Sequence, residues 1–151
     1  MTSTELADRV VHEHTELQEY LLQWEAALLR LHEGSPAESE GALEHLWRLV
    51  PYLDTELPRH FRVEEEELFP VVELRHPEST QALVRFLAEH AEFARQWQSY
   101  KQALLYCDAV GKSQTAYDRG LWLLGRLRRH IREEEEALLP LLESARCEGV
   151  T

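Results

Sequence analysis

Apolar positions recur along this chain at alternating spacings of three and four, the period of one face of an α-helix. In residues 4–33 the stripe is Ala7, Val10, His14, Leu17, Leu21, Trp24, Leu28 and Leu31. Ser3 or Thr4 is the expected cap of this helix, and Gly34-Ser35-Pro36 its stop. Residues 36–74 carry Leu46, Val50, Leu53, Leu57, His60, Glu64, Leu68 and Val71, with Pro51 and Pro58 expected to kink or divide the helix. Residues 78–109, ended by Gly111, carry Leu83, Phe86, His90, Phe93, Trp97, Tyr100 and Leu104. Residues 113–145 carry Gly120, Leu123, Leu127, His130, Glu134, Ala137 and Leu141. No alternating strand pattern occurs, and the connections are short. The expected fold class is all-α, an antiparallel up-down-up-down four-helix bundle. At 151 residues it is read as a single domain, residues 1–151.

The polar members of these stripes are the anomaly. His14, His60, His90 and His130 each sit where an apolar side chain belongs, and so do Glu64 and Glu134. The segment from His60 to Pro70 has a second copy from His130 to Pro140, identical at seven of eleven positions. Each copy holds a His and a Glu four residues apart, on one face and one turn apart. Glu13-His14 in the first helix likewise resembles Glu89-His90 in the third. The chain therefore reads as an internally duplicated helix pair. Counting residues from each turn puts the four His at equal height to within roughly 3 to 8 Å, at about 1.5 Å per residue.

An inward His is ordinarily a satisfied core residue. An inward Glu is harder to place, because a buried carboxylate must be protonated, paired or bound to a metal. No Lys or Arg lies in the stripes to neutralise Glu64 and Glu134. Four imidazoles and two carboxylates at one level fit a pair of cations roughly 3.5 to 4 Å apart. Without thiolates, iron, zinc or manganese suits this set better than copper(I). Carboxylates from opposite helices can bridge such a pair, with a water-derived oxo or hydroxo group as a further bridge. The competing reading is an acidic helical interaction domain whose His and Glu pair only with each other.

Composition narrows the partners. The formal charge of −12 disfavours nucleic acid and anionic membrane surfaces, which need clustered Lys and Arg. Cys107 and Cys147 form neither a metal-spaced pair nor a disulfide framework and suit a reducing cytoplasm. The first residues show no secretory signal, and no apolar run reaches the roughly 20 residues of a membrane helix. His12 falls on the wet face of its helix, and His32, His45 and His76 are not expected to be ligands. Trp24, Trp97 and Trp122 are read as core residues. Glu65, Glu66 and Glu67 are read as mostly facing solvent.

The ordered set of His14, His60-x3-Glu64 leading into Leu68-Phe69-Pro70, Glu89-His90 and His130-x3-Glu134 resembles the hemerythrin-like family, the HHE cation-binding domains. The resemblance covers nearly the whole chain. It implies a four-helix bundle around a non-heme di-iron centre of two iron ions, oxo- or hydroxo- and carboxylate-bridged. His14, His60, His90 and His130 would be terminal ligands, and Glu64 and Glu134 bridges. The implied function is binding of oxygen, nitric oxide or peroxide at an open coordination site, for sensing, storage or detoxification. The alternatives are a di-iron enzyme, of peroxidase or oxygen- or nitric-oxide-reductase type, and an iron-handling or repair protein. The oxygen carriers of the family have a second His four residues after the one in helix three, where this chain has Ala94 with Phe93 beside it. They also place the helix-four carboxylate five residues after its His, where Glu135 stands. Glu134 lies closer to the stripe, copies Glu64, and is the expected bridge. Both departures argue against simple reversible oxygen carriage.

Overall fold

Thr2, one residue earlier than expected, starts the first helix. Its side chain accepts from the Glu5 N–H at 3.1 Å, and the Glu5 carboxylate accepts from the Thr2 N–H at 3.1 Å. This reciprocal box satisfies two end groups that the helix itself cannot. In this computed structural model, which describes residues 2–110 and 112–148 and all their side chains but those of 108–110 and 143–148, α1 spans Ser3–Glu33. Ser35 caps α2 (Pro36–Val63), with Pro36 in its first turn. A π-helical turn (Glu64–Leu68) joins α2 to α3 (Phe69–Arg75), and a short 3₁₀ turn (Pro77–Ser79) leads into α4 (Thr80–Val110). The last helix, α5, spans Gln114–Glu148. Gly111 and the Cys147 side chain lie outside the described residues. No strand occurs among the described residues, and none of their helices is long and apolar enough to cross a membrane.

Of the two outcomes expected at Pro51 and Pro58, a kink or a division, the division does not occur: α2 runs through both. Both rings lie on its exposed side, where a carbonyl deprived of its helical partner can turn to water. The interruption falls instead just before Pro70. There the Phe69 N–H bonds the Glu64 carbonyl, five residues back. The extra residue in that turn rotates α3 relative to α2, so Val72 is buried where the stripe put Val71. At the end of α5 the stripe also slips by one: Leu138 and Leu142 are buried, Ala137 and Leu141 only half-buried.

The apolar interior falls into two clusters. One gathers Leu21, Trp24 and Leu28 of α1, Leu53 and Leu57 of α2, Trp97 and Tyr100 of α4, and Leu123 and Leu127 of α5. Within it the Trp24 indole N–H donates to the Tyr100 hydroxyl at 2.9 Å, so neither buried polar group is left alone. The other gathers Leu6 and Val10 with Leu68, Phe69, Val72, Phe86 and Leu138. In α1 and α4 the inward His falls between residues of the two clusters, and in α2 and α5 it lies near their border, with Phe61 and Ile131 of the first cluster directly after it. Trp122 belongs to neither; it is 41% exposed, correcting its reading as a core residue. The stripe through Leu123 and Leu127 turns Trp122 one step out of the interior.

Candidate metal centre

His14 reaches the polar layer from α1, His60 from α2, Glu64 from the π turn, His90 from α4, and His130 and Glu134 from α5. All six are buried, between 0% and 5% exposed. Among the described residues no other charged or imidazole side chain is buried. Their donor atoms form two groups of four. His14, His60, Glu64 and Glu134 make one, and His90, His130, Glu64 and Glu134 the other.

The two carboxylates belong to both groups and divide their oxygens between them. Glu64 Oε2 lies 3.3 Å from His14 Nε2 and 3.2 Å from His60 Nε2, while its Oε1 lies 3.2 Å from His90 Nε2. Glu134 Oε1 lies 3.2 Å from His14 Nε2, and its Oε2 3.0 Å from His130 Nε2. Four Nε2 atoms thus converge on two carboxylates. His90 Nε2 and His130 Nε2 are themselves 3.1 Å apart.

The opposite ring nitrogens face a second set of carboxylates. His14 Nδ1 lies 2.9 Å from Glu135, His60 Nδ1 2.6 Å from Glu13, and His90 Nδ1 3.2 Å from Glu65. His130 Nδ1 faces Glu89 at 3.6 Å, outside hydrogen-bond range. An ionised glutamate only accepts, so these Nδ1 atoms carry the protons. In the neutral ring that leaves the Nε2 lone pair free for a cation, an arrangement typical of metal-bound histidine. The sequence pattern gives neither the three supporting glutamates nor Glu89 a place beside an imidazole, and Glu65 is not the solvent-facing residue expected. The available signal is adjacency: Glu13 and Glu89 precede an inward His, Glu65 and Glu135 follow an inward Glu.

Several atoms of the inner set make no well-directed hydrogen bond despite these short approaches: His60 Nε2, Glu64 Oε1 and both oxygens of Glu134. Such atoms are costly to bury unless something absent from the protein chain satisfies them. The donor set and these orphaned atoms fit cations. Electrostatics says the same. Burial disfavours a charged His14, but Glu134, Glu135 and Glu64 outweigh it and raise its pKa to about 11. Burial likewise opposes a charged His90, yet Glu134 and Glu64 raise it to about 9. His60 is raised against burial by Glu13 and Glu64. Glu64, despite a burial that favours its neutral form, is held well below the carboxylate range by contacts with Glu134, His14, His60 and His90. Without metal, the site gathers protons where it needs positive charge.

Glu135 is half-buried on the far side of the His14 ring, whereas Glu134 is inside. Ala94 is exposed, so that position aims away from the centre. Phe93 faces inward beside it and meets Phe61 edge-on, their ring centroids 6.0 Å apart. Phe61 in turn stacks on His90 at 3.9 Å. His12, His32, His45 and His76 are outside both groups of four.

A family model, the hemerythrin HHE cation-binding domain, matches residues 5–142. No curated protein and no solved structure matches the chain.

Proposed function

Because the chain belongs to the hemerythrin HHE cation-binding family, we propose that its buried centre holds two iron ions and serves to bind a small diatomic or peroxidic ligand. The observation that carries this reading is the sharing of Glu64 and Glu134, each turning one oxygen toward each His pair. His14 and His60 would hold one ion, His90 and His130 the other, and the two carboxylates would bridge. The placement of the outer carboxylates repeats with the sequence copies: Glu13 supports His60 as Glu89 faces His130, and Glu135 supports His14 as Glu65 supports His90. That correspondence supports an antiparallel up-down-up-down bundle of one duplicated helix pair, forming a single domain.

Bound iron would supply a redox-active Lewis acid. The chain's part is to fix and shield it. Each His pair and the shared carboxylates amount to at most four side-chain donors per ion. That leaves coordination positions for water or a small ligand, and this shortage, rather than Ala94, is the source of openness. Phe61, Phe69 and Phe86 wrap the His90–His130 side, with ring centroids 3.9, 5.9 and 5.5 Å from the nearer imidazole. They keep bulk water from that ion and strengthen the charge interactions inside.

The test is aerobic loading with iron, followed by metal analysis and an absorption spectrum. The expected result is two irons per chain with the bands of a bridged iron pair, both lost in Glu64→Ala and Glu134→Ala. Sub-stoichiometric iron without those bands would leave only the reading of a His–Glu network that pairs with itself.

A further inference from the structure

A cavity of about 210 Å³ lies between α4 and α5, outside the metal layer but touching it. A dry cavity of about 150 Å³ can hold benzene, so this volume suits one six-membered ring with short substituents. Phe61, Phe93 and Leu127 give it apolar walls, and the part-exposed Trp122 forms another.

Its charged groups are not equivalent. Arg129 is 2.8 Å from Glu133, Arg85 is 3.6 Å from the same carboxylate, and Glu92 is held by Arg95 at 2.7 Å. Among the described residues, Arg126 has no carboxylate partner. Its guanidinium stands over the Trp122 ring, 5.1 Å from the centroid. A cation held over an indole at an apolar cavity is placed to receive a planar anion.

One helical turn further along the same face of α5 comes His130, 5% exposed. Its Nδ1 marks the only break in the ring of supporting hydrogen bonds: it makes none, and neither does the buried Glu89 Oε1, which Arg85 Nε faces at 3.7 Å. Both residues line the cavity. A hydroxyl between them would accept from Nδ1–H and donate to Glu89. Arg126 and His130 are four residues apart, roughly 6 Å along the helix, about the span of a ring with substituents at its two ends.

We propose that this cavity binds a small hydroxylated aromatic carboxylate, its ring between Phe93 and Trp122, its carboxylate on Arg126 and its hydroxyl between His130 and Glu89. The binding does not rest on the metal reading. Its consequence for that centre is direct, because the occupant supplies the hydrogen bond that His130 alone of the four imidazoles lacks.

The probe is para-hydroxybenzoate, titrated into the purified protein by calorimetry, with and without iron loading. Saturable one-to-one binding is expected. Arg126→Gln, an exposed change that leaves the fold intact by circular dichroism, should weaken it about tenfold or more, the loss expected for one charge-assisted contact. Benzoate should bind more weakly than para-hydroxybenzoate, and Glu89→Gln should narrow that difference. No saturable binding, equal binding by Arg126→Gln, or equal binding of acetate would overturn the proposal. Failure of iron to load would count against the di-iron reading and leave the calorimetric result to decide this one.

Discussion

Glu13, Glu65 and Glu135 each hold the outer nitrogen of a buried imidazole whose inner nitrogen faces Glu64 or Glu134. Losing such a support typically costs tenfold to a hundredfold in metal affinity. Glu13→Gln and Glu135→Gln should therefore lower iron retention by roughly that factor in competition with a chelator, whereas the exposed Glu66→Gln should not. Retention equal in all three would mean the imidazoles need no orienting. Glu134 and Glu64, joined by Glu135 at His14, set a pH dependence. In the metal-free protein His90 keeps its proton to about 9 and His14 to about 11, above their ordinary 6.5. Raised pKa values contribute stability that is complete below about pH 6.5 and is lost as pH climbs through 9 and then 11. The urea midpoint of metal-free protein should accordingly fall between pH 7 and pH values above 9; a constant midpoint would contradict it. The six inner residues were legible because a His or Glu on an apolar stripe stands out against its period. Their glutamate supports were not, because each sits one step off the stripe, where only the packing of neighbouring helices decides whether a carboxylate meets water or an imidazole.

At the scale of elements, the four long helices are dictated by periodicity and by the Gly34-Ser35-Pro36 and His76-Pro77 breaks. The sequence misleads where proline is concerned. Pro51 and Pro58 are absorbed on a wet face, while Pro70 follows a π turn that its counterpart Pro140, inside a continuous α5, does not. The seven positions the two motifs share do not distinguish these outcomes; the turn also carries Glu65 to His90, a contact made across helices. Helix spacing is set elsewhere, at Gly120. A Cβ there would stand 2.6 Å from Leu28 Cδ1 and 3.1 Å from Tyr100 Cε2, both fully buried. Gly120→Val should destabilise by about 1–3 kcal/mol in denaturant unfolding, the usual cost of overpacking. An unchanged midpoint would show that α1 and α5 can part without penalty.

Across the whole molecule, a layer of six ionisable side chains separates two apolar clusters drawn from every long helix. The equal heights of the four His, counted from the turns, predicted that layer. Bound cations would replace protons and satisfy the orphaned oxygens, so loading and folding should be coupled. At a free-metal level a thousandfold above the dissociation constant, the loaded fold should gain about 4 kcal/mol. A chelator should therefore lower the thermal midpoint at pH 7 by several degrees, and identical melting with and without it would contradict the coupling. The di-iron reading depends most directly on where the metal sits. Anomalous scattering at the iron edge, from crystals of the iron-loaded protein, should give two peaks per chain. One should lie against His14 and His60, the other against His90 and His130, and both should touch Glu64 and Glu134. A single peak, no peak, or peaks among surface glutamates would contradict it.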